Sequence, residues 1–250
     1  VRYPFGYGLS YTDFSVNTKG VEAVNTESGK PEIAVTVEVT NTGDTYCGKE
    51  VVQIYVSCPQ GKLAKEYRRL AGFAKTEELK PQESCSMTIT FPVYQLASFD
   101  EEKAAWILEG GTYGIWVGSS IQDAEPAGSL CLNKDAVLVQ CEHICPLKEE
   151  LKELTPDHGR MMEKEAAWLE KTAGLPCVHM SAENIGKEIV VYSELPEHFT
   201  GRAGEIVESL SREQLVLMAT GDPGKGQDAV LGSAGITVPG AAAETSSAAS

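Results

Sequence analysis

The most regular feature of the chain is an alternation of apolar and polar residues with period two. In EIAVTVEVTNTG, Ile33, Val35, Val37 and Val39 share one face, while Glu32, Thr36 and Glu38 take the other. Successive side chains on a strand point to opposite faces, so the run predicts a half-buried strand closed by an Asn-Thr-Gly turn. KEVVQIYVS repeats the pattern with Val52, Ile54 and Val56, and SCSMTITFP repeats it with Cys85, Met87, Ile89 and Phe91. GGTYGIWVGSS and DAVLVQ add two further runs. Pro92 cannot donate to a ladder and belongs at a strand end. The turn clusters NTGD, CPQG, KPQES and EGG separate the runs. Many short strands with regular turns predict an antiparallel β-sandwich over residues 15–140.

The spacing of these runs has the scale of an immunoglobulin-like or fibronectin type III-like sandwich, and the fold class expected is mainly β. Residues 1–14, VRYPFGYGLSYTDF, have no helical period and read as a connector from a preceding domain. Residues 141–205 shift toward Glu, Lys, Leu and Met and read as a partly helical linker. Within it, Thr155-Pro156-Asp157 is a helix start, with Thr155 as the hydroxyl cap, and the helix is expected to stop at Gly174. GKEIVVYSEL can hold a short strand. Residues 206–250 open on another helix, where Ser211 and Gln214 have the spacing of a capping box.

Charge and composition narrow the function classes. The 250 residues carry 36 acidic and 21 basic side chains, a formal net charge of −15. Such a surplus argues against a nucleic-acid partner, whose phosphates need clustered Lys and Arg. No apolar run approaches the ~20 residues of a membrane-spanning helix, so no membrane is expected. The seven cysteines are odd in number and show no small-scaffold spacing. Reduced thiols and a cytoplasmic location are the expectation.

Candidate chemistry is sparse. Cys141, His143 and Cys145, with Cys177 and His179, are zinc-binding residue types, but their spacing matches no common finger or ribbon. They are read as strand end and linker, with no metal or cofactor expected. Gly221 to Gly226 contains Gly-Lys, but the P-loop positions Gly and Ser/Thr hold Ala219 and Gly226. Glu101-Glu102 and Glu149-Glu150 are adjacent pairs, and adjacent side chains diverge on helix and strand alike, so solvated charge is the reading. Lys65, Arg68 and Arg69 form the one local basic cluster, beside Tyr67 and Phe73. Trp106 and Trp116 sit inside strand-like runs, where core packing is expected. The residues by themselves therefore describe an acidic β-sandwich chain with no self-contained active site.

A set of motifs goes further. YPFGYGLSYTDF (3–14) resembles the entry to the fibronectin type III-like domain of family 3 glycoside hydrolases, the β-glucosidase family. VTVEVTNTGDTYCGKEVVQIYVS (35–57), KEYRRLAGFAKTEELKPQES (65–84) and WILEGGTYGIWVGSSIQD (106–123) follow in the family's order. LSREQLVLMATGD (210–222) and AGITVPGAAAETSS (234–247) resemble, more weakly, the opening of the family's (β/α)8 barrel.

This resemblance implies a permuted member, with the α/β sandwich domain before the fibronectin-like domain and the barrel after it. Residues 206–250 would be a truncated barrel start, with Ile236 and Val238 lacking partners. The family's nucleophilic Asp would lie beyond Ser250 and its acid/base Glu before Val1, so no catalytic residue is assigned. The chain is then expected to be inactive alone, as a scaffold for a retaining enzyme whose substrate is a β-glucoside or related oligosaccharide. Its partners would be the flanking sandwich and barrel domains. Tyr67 and Arg68, on the loop 58–68, are the expected cleft-bordering residues. The alternative is a free-standing β-sandwich module that binds carbohydrate or a protein partner.

Overall fold

The computed structural model describes residues 2–144, 149, 154–190 and 200–220. The chain divides into two compact units, residues 1–191 and 192–250. In the first, β1 (Phe14–Val24) and β2 (Glu32–Asn41) form a hairpin, and β3 (Val51–Ser57) and β4 (Arg69–Lys75) form another. β5 (Ser84–Pro92) is followed by the short β6 (Ser98–Asp100) and β7 (Ala105–Leu108). Next come β8 (Gly111–Gly118), β9 (Glu125–Leu132) and β10 (Ala136–Gln140). Helix α1 (His158–Thr172), β11 (Cys177–Met180) and the two-residue β12 (Glu188–Ile189) complete the unit.

The strands make three sheets, in the orders β1-β2-β5, β11-β9-β8-β3-β4 and β12-β10-β7-β6. Pairing is antiparallel except where β11 joins β9 and β12 joins β10. All five runs picked out by alternation are strands, and Pro92 ends β5 opposite Glu32. The core lies between the first two sheets. Ile33, Val35, Val37, Ile89 and Phe91 meet Val52, Ile54, Val56, Ile115 and Leu130, and the third sheet adds Leu108, Ala136 and Leu138. The fold is mainly β.

Strand β3 departs from simple alternation, because Val52 to Ser57 are all buried. Its core face carries Val52, Ile54 and Val56. Its other face is covered by α1, whose Trp168 packs with Tyr55, Trp116 and Ala124. Gly114 makes this approach possible, because a Cβ there would lie 2.8 Å from the Trp168 ring. The apolar stripe of α1 follows helical spacing, with Met161, Trp168 and Thr172 buried. Asp157 caps the helix by accepting the Arg160 N–H at 3.1 Å. The expected cap, Thr155, lies two residues too early, and the chain beyond Thr172 turns at Gly174 with φ of 81°.

Trp116 is buried, with Nε1 donating to Ser57 Oγ at 3.1 Å. Trp106 corrects the expectation of core packing, since it is 44% exposed. Its neighbours Ala105 and Ile107 are buried, and Trp106 lies against Phe99, its register partner on β6. The two rings meet edge to face at 5.4 Å.

In the second unit the described residues form α2 (Gly201–Ser209) and α3 (Arg212–Thr220). The capping box forms reciprocally, with Ser211 N–H donating to Gln214 Oε1 at 2.8 Å and Gln214 N–H donating to Ser211 Oγ at 3.2 Å. Cys145, Glu150, the Gly-Lys loop after Gly221, and Ile236 and Val238 lie outside the described residues.

Candidate functional site

The loop from Cys58 to Arg68 joins β3 to β4, and a single buried carboxylate organises its first half. Glu109, just after β7, is 6% exposed and Lys65 is 4% exposed. Glu109 accepts the N–H of Lys62 at 2.6 Å and of Leu63 at 3.2 Å, and it pairs with Lys65 Nζ. Lys65 Nζ also donates to Leu63 O at 3.0 Å. A buried carboxylate needs this many donors, because desolvation would otherwise oppose its charge. Gly61 must lack a side chain, since a Cβ there would meet Glu109 Oε1 at 2.3 Å. The adjacent Cys58 thiol is pushed up to about 11 by burial, which makes it a poor nucleophile at neutral pH.

The second half of the loop carries the two residues singled out from the sequence. Tyr67 is 40% exposed. Arg68 is half-buried, with its guanidinium 3.6 Å above the Trp116 ring and 5.2 Å from the Tyr67 ring. It donates from Nη1 to Ile121 O at 3.0 Å, and its Nε is buried without a hydrogen-bond partner among the described residues. Burial lowers the Arg68 pKa, against the raising influence of Tyr67 and Glu125. Arg68 thus carries a cation stacked on core tryptophan, while Tyr67 presents its ring to solvent. Arg69 turns the other way and holds Gln95 O and Ala97 O at 2.7 and 2.9 Å, together with the Glu66 carboxylate. Burial is the largest single influence on Glu66 and opposes its ionisation, but the Arg69 hydrogen bond, a backbone hydrogen bond and the Arg69 and Lys65 charges together outweigh it, and the carboxyl sits below its ordinary range.

Helix α1 supplies the part of this surface that the sequence did not assign to it. Lys164 Nζ lies 5.0 Å from the Tyr67 ring, and Glu165 accepts the Gln60 N–H at 3.2 Å. Gln60 to Ala64 and the helix start, with Thr155, His158 and Met161, line a shallow groove. The available signal was the stripe Met161, Glu165, Trp168 and Thr172, spaced for one helix face. Tyr67, Arg68 and Lys164 lie outside the lining of this groove, which offers loop backbone, Lys62 and His158 and so suits polar ligand contact better than bond-breaking chemistry.

The cysteine and histidine candidates are regrouped. Cys177 and His179 meet Cys131 across the parallel β9–β11 pairing. Cys131 escaped notice because EPAGSLCL, with Pro126 and Gly128, shows no alternation of large apolar residues.

Comparison with known proteins decides the kinship of the sandwich. Residues 50–121 match the family model described as the fibronectin type III-like domain. The chain is 44% identical over 137 residues to Beta-glucosidase A of Butyrivibrio fibrisolvens, covering 49% of this chain and 16% of that protein. It is 38% identical over 147 residues to a Beta-glucosidase of Ruminococcus albus, covering 57% and 15%. The matched half of this chain is a fibronectin type III-like domain whose relatives are beta-glucosidases of glycoside hydrolase family 3. Among solved structures, a beta-glucosidase from Paenibacillus barengoltzii superposes with a TM-score of 0.52 at 41% identity, over 56% of this chain and 16% of that one. The beta-glucosidase of Kluyveromyces marxianus in complex with glucose gives 0.50 at 34% identity, over 55% and 16%. The chain thus spans about a sixth of the length of the family 3 relatives it matches. Among the described residues no helix is long and apolar enough to cross a membrane.

Proposed function

We propose that this chain supplies the non-catalytic, fibronectin-like scaffold of a retaining β-glycosidase that hydrolyses O-glycosyl bonds in carbohydrate metabolism. The substrate of the complete enzyme would be a β-glucoside or related oligosaccharide. The observation that carries this reading is the ordered match of about half the chain to beta-glucosidases at 38–44% identity. A retaining mechanism needs two carboxylates ~5–5.5 Å apart across the scissile bond. Both belong to the flanking domains in this proposal, the barrel and the α/β sandwich, and none is assigned to this chain. The barrel-like motif at 210–222, whose helix α3 and capping box form, supports the permuted order.

Within that enzyme the chain would position the two catalytic domains, and the loop 58–68 would border the cleft through Tyr67 and Arg68. Its exposed ring, beside Lys164 and a fixed guanidinium, supports a sugar-facing role, since aromatic faces stack on apolar sugar faces and cations bind hydroxyl oxygens. The odd number of cysteines supports a reducing compartment, the cytoplasm. A free-standing binding module is not favoured, because the match runs in order along enzymes. The test is hydrolysis of a chromogenic aryl β-glucoside by the purified chain at verified mass. A folded, β-rich chain without turnover is expected; turnover above the blank would place a working carboxylate pair within these residues and overturn the scaffold reading.

A further inference from the structure

The edge of the five-stranded sheet holds a group of side chains that the scaffold role does not use. β11 lies parallel to β9, with Cys177 opposite Ser129 and His179 opposite Cys131. Residues two apart on a strand share a face, so Cys177, His179 and Cys131 project from the same side of the sheet. Their ligand atoms all lie within 4.8 Å of one another. The two sulfurs are 2.8 Å apart, and Thr112 Oγ1, from the next strand inward, is 3.7 Å from Cys131 Sγ. Cys177 and His179 are exposed and Cys131 is half-buried, so the group opens to solvent along one side.

We propose that Cys131, Cys177 and His179 form a binding site for a thiophilic divalent cation of the Zn2+ class. Zn2+ takes sulfur at ~2.3 Å and imidazole nitrogen at ~2.0–2.1 Å in tetrahedral geometry. Two sulfurs on such an ion sit roughly 3.7 Å apart, and a sulfur and a nitrogen only slightly closer. The Cys131–Cys177 pair therefore has to open by about 1 Å. Cys177, exposed on an edge strand, can make that movement by side-chain rotation alone. The backbone ladder holds the three Cα atoms in place, so the ligands are gathered before the ion arrives. Three protein ligands leave the fourth position to water or to an added ligand. Thr112 is placed to hydrogen-bond the Cys131 sulfur from behind, the kind of outer contact that orients a metal ligand. A thiol pair alone would serve as a redox couple equally well. His179, directly opposite Cys131 in the ladder, adds a third donor that disulfide formation does not require.

The test uses the full chain, kept reduced and metal-free, and titrates it with Co2+ and then Zn2+. One equivalent of Co2+ is expected to give thiolate-to-metal charge transfer and the d–d bands of a tetrahedral site, both erased by one equivalent of Zn2+. Cys177→Ser and Cys131→Ser should abolish the charge-transfer band. His179→Ala removes a direct ligand and should weaken Co2+ binding by more than the roughly tenfold that loss of an outer contact costs. Cys47→Ser, at an exposed cysteine outside the group, should leave it unchanged. Circular dichroism of each variant checks the fold, and Cys177 and His179, being exposed, are safe to change. The proposal is overturned by the absence of a stoichiometric band, or by a band that survives Cys177→Ser or is indifferent to His179→Ala. Peptide mapping that finds a Cys131–Cys177 disulfide in place of bound metal, formed in the metal-loaded chain under air, overturns it as well.

Discussion

Asn41, the first residue of the Asn-Thr-Gly turn, is fully buried and uses both ends of its side chain. Its Oδ1 accepts from Thr12 Oγ1 at 2.6 Å and from Gly43 N–H at 3.1 Å, and its Nδ2 donates to Tyr46 O at 2.9 Å and Leu79 O at 3.0 Å. One amide therefore ties the connector, the turn and the loop before β5 together. Gly43 is required for close approach, since a Cβ there would meet Thr12 Oγ1 at 2.1 Å. Asn41→Ala strands several buried donors and acceptors, and urea unfolding should show a loss of about 2–4 kcal/mol. The turn was legible in the sequence; its role as a pin was not, because Thr12 and Leu79 are distant in the chain. Cys58 yields a pH prediction at the same scale. Its thiol pKa is raised from 9.0 to about 11, chiefly by burial. The folded chain holds that proton more tightly than the unfolded chain, so the associated stability is present below pH 9 and is lost as pH rises through 11. Roughly 2–3 kcal/mol should disappear across that window, and Cys58→Ala should flatten this part of the stability–pH curve. Tyr113, also pushed up by burial, adds to the fall at the alkaline end.

At the scale of elements, the contact that matters most is α1 on the outer face of the five-stranded sheet. Trp168 is 2% exposed and joins Tyr55 and Trp116 in a second core. Trp168→Ala should cost about 3–5 kcal/mol. Hydrogen exchange should then show α1 losing its protection while β2, β3 and β8 keep theirs, because the main core does not involve Trp168. Gly114→Ala should produce a milder version, about 1–3 kcal/mol, by pushing the same ring outward. The loop 58–68 depends on Glu109 in a similar way. Lys65→Met leaves a buried carboxylate without its cation and should cost about 3–5 kcal/mol, whereas Lys65→Met with Glu109→Leu should cost less than the sum of the single changes.

At the scale of the whole molecule, the sandwich, the helix on its outer face and the strand added to its edge form one compact unit ending at Val191. In the complete enzyme, the scaffold proposal predicts a split in kinetic effects. Tyr67→Ala should raise KM for an oligosaccharide several-fold and leave kcat for a small aryl glucoside nearly unchanged, since the ring would touch the sugar chain away from the reacting bond. Steady-state kinetics with the two substrates tests this, and equal parameters for wild type and variant would remove Tyr67 from the cleft.

The β-sandwich was determined by the sequence on its own, because period-two alternation in runs such as Ile33 to Val39 leaves few other ways to bury one face. The kinship with family 3 was likewise carried by ordered local motifs, which need no folding to be read. Other features were decided only by tertiary structure. Burial of both faces of β3 needs α1, which lies a hundred residues further along the chain. The exposure of Trp106, between the buried Ala105 and Ile107, is a property of assembly rather than of composition. The grouping of Cys131 with Cys177 and His179 arises from a parallel pairing between strands 45 residues apart. Sequence periodicity reports which face of an element is apolar; it carries no information about which distant element comes to cover that face, and that choice is made by packing.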